Sequence, residues 1–372
     1  MILRKNFFYF ALLLLATVFV MPACESNTDD DKQLNEYVTN QELESLRCYT
    51  DLHLHLDGSI TVDILKKIAA AQDIELTSTD EELRVMLQVS DDCSDLNEYL
   101  EKFPFPLTFL QCKEGLSLAV ELVCKELEKR GHMYAELRYA PQLHCDAYMT
   151  QRDAIEAAIE GAKNSPIPVS LILCCMRGDD NHDKNIETIE LAAEYLNKGV
   201  GAVDIAGAEA LFPTQNFADL FALAREKDIP FTIHAGEADG PASVYKALEY
   251  GAKRIGHGVR SAEDDALMEK LKNDQITLEC CPTSNVNTAI YSSLEQFPYR
   301  IFMDKGVKFT INCDNMSVSN TDVKQEYMAL NDIFKIKRTE LLQLLNNSVD
   351  AAFTTEQTKQ TLKDKIYSSL MK

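Results

Sequence analysis

Histidine is scarce in this chain, with seven in 372 residues, and four of the seven stand where chemistry is plausible. His53 and His55 form an H-x-H pair at the end of an apolar, β-prone run. Residues i and i+2 of a strand project from one face, so both imidazoles can reach one ion, and imidazole is a common zinc ligand. The competing reading is a hydrogen-bonded polar pair at a strand end. His234, in Ile233-His234-Ala235-Gly236-Glu237, can supply a third imidazole. Glu237 follows three residues on, where a loop can turn it over a metal. A carboxyl beside a metal-activated water can shuttle a proton. The alternative is a helix-start carboxylate favoured by the dipole. His257 lies between Gly256 and Gly258, and glycine permits close backbone approach. Asp314 ends another β-prone run and, if buried, needs a cation or donors. His53, His55, His234 and Asp314 make a nitrogen and carboxylate donor set. Such a set suits zinc above iron, cobalt or manganese.

Those residues need a scaffold that gathers strand ends. Eight short apolar runs alternate with helical patterns: Tyr49–Leu56, Tyr134–Ala140, Val169–Met176, Ala202–Ala206, Phe231–His234, Arg254–His257, Ile276–Cys281 and Lys308–Cys313. Nearly continuous apolarity marks strands buried on both faces. Between them, 114–130, 186–198, 215–227, 241–250 and 263–273 repeat apolar residues at helical spacing. The alternation predicts an α/β fold with a parallel sheet, and eight strands close a (β/α)8 TIM-type barrel. Active sites of such barrels collect at the C-terminal strand ends, where the candidate residues fall. An open doubly wound sheet lacks support, since no G-x-G-x-x-G or P-loop follows a strand. A largely helical insert, 57–132, separates the first two strands and is expected to form a lid or wall beside the site.

The net charge of −22 excludes a nucleic-acid partner, which needs clustered Lys and Arg. Arg4 and Lys5 precede an apolar run from Phe7 to Val20 and then Met21-Pro22-Ala23-Cys24, the form of a secretory signal. Cys24 stands where a bacterial lipoprotein signal places its lipidated cysteine. The expected organisation is a lipoprotein-type signal over 1–24, a flexible acidic tether over 25–45, and one barrel over 46–372. The expected location is the bacterial cell envelope, with membrane attachment through a lipid on Cys24. Of 11 cysteines, Cys174, Cys175, Cys280, Cys281 and Cys313 lie in apolar runs and read as small buried hydrophobes.

Five segments together resemble the signatures of the adenosine deaminase family, in the family's order. They are Thr50 to Ser59 (TDLHLHLDGS), His234 to Glu237 (HAGE), Arg254 to Gly258 (RIGHG), Cys281 to Asn285 (CPTSN) and Asn312 to Asn315 (NCDN). The resemblance implies zinc-dependent hydrolytic deamination of adenosine, and of 2′-deoxyadenosine, to inosine and ammonia. It implies one zinc per chain on His53, His55, His234 and Asp314. Glu237 would pass a proton to purine N1, and His257 would orient the attacking hydroxide. Asp57 and His55 would meet the sugar side of the nucleoside, and the Gly207 N–H would donate to N3. The family's second Asp after the last strand is replaced by Asn315, whose NH2 donates to N7 at any pH. Arg138-Tyr139-Ala140-Pro141-Gln142 and Gly207-Ala208-Glu209 also depart from the family pattern. Two other readings remain: an adenine deaminase on the same barrel, and an inactive cell-surface binding protein. Asp57, suited to a sugar hydroxyl, speaks against the first, and the intact site residues speak against the second.

Overall fold

The computed structural model describes residues 36–146 and 149–370. Its eight strands are β1 (Tyr49–His55), β2 (His132–Tyr139), β3 (Val169–Met176), β4 (Val200–Ala206), β5 (Thr232–Ala235), β6 (Arg254–His257), β7 (Thr277–Cys280) and β8 (Lys308–Ile311). Every expected strand is present, with ends displaced by one or two residues, because assigned strands stop where ladder hydrogen bonds stop. All pairings are parallel, in the orders β1-β2-β3-β4 and β5-β6-β7-β8. Two seams close the ring. Val203 bridges Phe231 and donates its N–H to Pro230 O at 3.1 Å, while Leu54 bridges Asp314. At the second seam, His55 N donates to Asp314 O (2.8 Å) and Asp314 N to His53 O (2.9 Å). The second seam therefore ties three site residues together through the backbone.

The outer helices bury one stripe each. Helix Lys113–Lys129 turns Leu116, Ala119, Val120, Val123, Cys124 and Leu127 inward, the spacing of an amphipathic helix. Helix Gln151–Lys163 packs beside it. The insert between β1 and β2 is helical, with Val62–Ala71, Asp80–Leu87, Leu96–Leu100 and Pro104–Leu107 preceding the long helix. It is fastened to the loop after Asp314. Tyr99 Oη lies 2.7 Å from Ser319 Oγ, and Val89 N donates to Val318 O at 3.0 Å.

The barrel domain begins earlier than residue 46. Thr39 caps helix Asn40–Ser45 through a capping box, Tyr37 bridges Lys337, and Val38 N donates to Ile336 O at 3.0 Å. Leu43 is buried within this packing, so residues 37–45 belong to the fold and not to a tether. The sequence expectation missed this because Val38 and Leu43, the segment's buried apolar residues, stand five apart among polar neighbours and show no period. The expected signal, Cys24 and tether residues 25–35 lie outside the described residues. Ten cysteines, Cys48 to Cys313, are free thiols, and Cys174, Cys175, Cys280, Cys281 and Cys313 are buried as expected.

Candidate active site

The strand ends bring the metal candidates into one cluster. Nε2 of His53 lies 3.0 Å from Nε2 of His234, and Nε2 of His55 lies 3.3 Å from the same atom. Oδ1 of Asp314 stands 3.3 Å from His53 Nε2 and 3.4 Å from His55 Nε2. These are the edges expected of four donors each about 2.0–2.1 Å from one ion. The tautomers make the same case. His53 Nδ1 faces Glu279 Oε2 at 2.9 Å, and His234 Nδ1 lies 2.7 Å from Asp204 Oδ2. Glu279 holds the His53 ring proton on Nδ1, and the Asp204 charge 2.7 Å from His234 Nδ1 favours the proton on that nitrogen, so both Nε2 lone pairs face each other bare. Two bare lone pairs at 3.0 Å beside a carboxylate repel unless a cation lies between them. The donor set fits a zinc-like ion. His53, His257, Cys281 and Asp314 form an overlapping group of possible ligands.

Asp204 and Glu279 belong to a charged floor inside the barrel. Arg138 donates to Asp204 Oδ2 (2.8 Å) and Glu279 Oε2 (2.7 Å), and Arg254 donates to Glu279 Oε1 (2.6 Å) and Glu136 Oε2 (2.6 Å). Burial alone would raise the Glu279 carboxyl, but Arg254 and Arg138 hold it well below its usual range. Metal-ligating histidines take their orientation from such outer partners.

His257 and Asp314 both adopt left-handed backbone, with φ of 56° and 63°. That conformation is uncommon outside glycine and clusters at functional sites. Burial drives the His257 imidazole well below its usual pKa, so the ring is neutral. Its Nδ1 lies 3.2 Å from Asn285 Nδ2, and its Nε2 lies 3.6 Å from Glu237 Oε2. Burial first, then the negative charges of Asp314 and Glu209, raise the Glu237 carboxyl well above the usual range. This environment favours the protonated form of Glu237. Ser284 donates to Asp314 Oδ2 at 2.6 Å.

These groups open onto a cavity of about 290 Å³ lined also by Asp57, Tyr99, Phe103, Leu143, Gly207 and Asn315. The lid side, Leu96 to Leu107, comes from the insert, as expected. Burial pushes the Asp57 carboxyl up to about 6. Asn315 Oδ1 is buried without a hydrogen-bond partner and abuts Gly58, where an added Cβ would fall 1.8 Å from it. Only glycine fits there, and the amide NH2 is left to face the cavity.

Helix Pro282–Asn287 supplies Ser284 and Asn285, and Glu326 holds its start by accepting from Thr283 N at 3.1 Å. Burial pushes the Glu326 carboxyl from 4.5 up to about 7. Its neutral form is thus favoured by folding, so its contribution to stability is full below pH ~4.5 and lost as pH rises through ~7. Glu326→Gln, neutral throughout, should remove that loss. Between pH 5 and 8 the variant is expected to gain on the natural protein by roughly 3 kcal/mol, read from urea unfolding at both pH values. An equal decline in both proteins would reject this.

Sequence reasoning missed Asp204, Glu209, Glu279, Glu136, Arg254, Ser284 and the lid's Tyr99 as parts of the site. Glu136, Asp204 and Glu279 did carry a signal, being charges inside strands that must be buried on both faces.

A parallel (β/α)8 barrel with a His3Asp donor set and a buried carboxyl, Glu237, at its C-terminal mouth defines a metal-dependent barrel hydrolase. The adenosine deaminase family model matches residues 49–369, and the chain belongs to that family. The adenosine deaminase of Haemophilus ducreyi is 47% identical over 84% of this chain and 93% of its own. That of Clostridium acetobutylicum is 35% identical over 85% and 96%. The fold matches the adenine deaminase structure from Arthrobacter aurescens, with a TM-score of 0.79 at 22% identity over 88% of this chain and 100% of that one. An amidohydrolase from Burkholderia ambifaria with bound Zn matches with a TM-score of 0.79 at 18% identity, over 90% and 94%.

Proposed function

We propose that this chain deaminates adenosine and 2′-deoxyadenosine hydrolytically, giving the inosine product and ammonia, with one zinc ion per chain. The observation that carries the reading is the pair of facing Nε2 atoms with Asp314 on one side of a cavity whose other wall presents the buried Glu237 carboxyl. The relatives named adenosine deaminase support the substrate. His53, His55, His234 and Asp314 would hold the zinc. Bound there, zinc would make a water nucleophilic at neutral pH.

The side chains supply the rest. Glu237 gives its proton to purine N1, which draws electron density from the ring and makes C6 electrophilic. Neutral His257 orients the attacking water at C6 and, beside Asp314, handles the proton that water gives up. That proton goes to the exocyclic amine, the C6–N bond breaks to release ammonia, and the proton left on the C6 hydroxyl returns to Glu237 as the carbonyl forms. The N–H of Gly207 meets N3, and Asp57 with His55 meets the ribose. Among the described residues no Lys or Arg lines the cavity, so a 5′-phosphate would find no cation among them, and nucleosides are favoured over nucleotides. Absorbance assays with adenosine, deoxyadenosine, adenine and AMP, with and without chelator, test the reading. Turnover of adenosine that chelator abolishes and zinc restores is expected. A zinc-loaded protein inert towards nucleosides, or faster on adenine or AMP, would overturn it.

Asn315 gives the finer prediction. With its oxygen against Gly58, its NH2 donates to N7. Asn315→Ala should lower kcat/KM for adenosine by about 1–3 kcal/mol while leaving 7-deazaadenosine, which lacks N7, equally well bound. An unchanged kcat/KM for adenosine would sink the contact.

We place the enzyme at the cell envelope of a bacterium, anchored by a lipid on Cys24, because residues 1–24 combine a basic start, an apolar run and a cysteine at the cut. Labelled fatty acid should enter the natural protein and not Cys24→Ser; equal labelling of both would refute the anchor.

A further inference from the structure

Glu237 has a task that its own side chain does not secure. Its carboxyl makes no hydrogen bond among the described residues, and its nearest basic group is His257 Nε2 at 3.6 Å. Its aim must come from the backbone of the turn after β5. That turn is held from beneath by one buried carboxylate. Glu209 Oε1 accepts from Gly236 N at 2.7 Å and Ser243 Oγ at 2.6 Å. Glu209 Oε2 accepts from Glu237 N and Asp239 N, each at 3.0 Å. From β3's end, Arg177 donates to His234 O at 2.6 Å and to Thr214 Oγ1 at 3.1 Å, and Thr214 reaches Ser243 at 2.7 Å.

We propose that Glu209 is the positioning residue for the acid: its carboxylate fixes the turn 236–239 that points Glu237 at the purine. A carboxylate suits this place because it only accepts, and four donors converge on it. The backbone conformation also needs holding. Gly236 has φ +70, and its added Cβ would meet Val244 Cγ2 at 2.5 Å. Glu209 is 1% exposed, so its charge is tolerated only because all four bonds are made and Arg177 lies nearby. In Glu209→Gln one oxygen becomes an NH2 set against a backbone N–H, that of Gly236 at one oxygen's place or those of Glu237 and Asp239 at the other's, so at least one of the bonds that hold the turn fails. Misplacement of a reacting group by about 1 Å lowers rates by as much as about 100-fold.

The proposal rests on Glu237 being the proton donor to N1. The test compares the zinc-loaded natural protein with Glu209→Gln, Ser243→Ala and Glu237→Gln. For Glu209→Gln, kcat for adenosine should fall about 10- to 100-fold and amide exchange at 236–239 should accelerate. Zinc content should hold, and the Ki of 1-deazaadenosine, which lacks N1, should stay within about twofold. Ser243→Ala keeps the carboxylate and should show the same pattern several-fold weaker, even if Glu209→Gln fails to fold. Unchanged kcat or unchanged exchange in the foldable variants overturns the proposal. So does a loss of 1-deazaadenosine binding or zinc in step with kcat, which would mark general collapse. A fully active Glu237→Gln overturns the proton-donor reading and this proposal with it. A Glu209→Gln that behaves as the natural protein while Glu237→Gln is dead overturns the positioning role alone.

Discussion

Glu237→Gln is expected to lower kcat/KM for adenosine by about 10²–10⁴, the usual range for loss of a general acid, or about 3–5 kcal/mol of barrier. Gln matches Glu in shape and keeps the cavity filled, but it has no proton to give to N1. The zinc content should not change, because Glu237 is outside the His53, His55, His234 and Asp314 donor set. The natural protein's pH profile follows from the same environment. Burial, then Asp314 and Glu209, raise the Glu237 carboxyl, so the acid is charged and useless above that raised pKa and competent below it. Activity should fall as pH rises through it, and that limb should vanish in the variant. Steady-state kinetics with metal analysis decides the matter. A Gln variant within a few-fold of the natural rate, or one that loses zinc, would reject the assignment.

Much of this architecture was legible in the sequence, for definable reasons. Strands buried on both faces read as apolar runs, and the barrel sends their C-terminal ends to one mouth. His53, His55, His234, His257 and Asp314 therefore announced themselves by standing at run ends. What was not legible depends on residues distant in sequence. Glu279 meets Arg138 across 141 positions, and Arg254 meets Glu136 across 118. No local spacing encodes such pairs. Glu209 precedes Glu237 by 28 positions and drew notice only through its neighbour Ala208, where the family has an acidic residue, while in three dimensions it is the underside of the acid's turn. The start of the fold escaped for a different reason: Leu43 is buried by helices near residue 331 that only tertiary structure brings close.

Glu279→Gln should damage metal binding and folding together, because one carboxylate serves both. Its Oε2 holds the His53 proton on Nδ1 (2.9 Å) and meets Arg138 (2.7 Å), and its Oε1 meets Arg254 (2.6 Å). With an amide there, His53 loses the partner that keeps Nε2 bare, and zinc affinity is expected to fall 10- to 100-fold, typical for outer partners of metal histidines. Two buried guanidiniums also lose a shared counter-charge, for which about 3–5 kcal/mol of folding stability is expected to go. The two effects compound. Zinc that binds only the folded chain stabilises it by about 2.7 kcal/mol at 100 times Kd, and a 100-fold weaker site forfeits that at the same zinc concentration. Competition against a chelator gives the affinity, and urea unfolding with and without zinc separates the two losses. Should zinc affinity stay intact while stability falls, the floor would be a folding device alone, and the proton on His53 would be set by the metal itself.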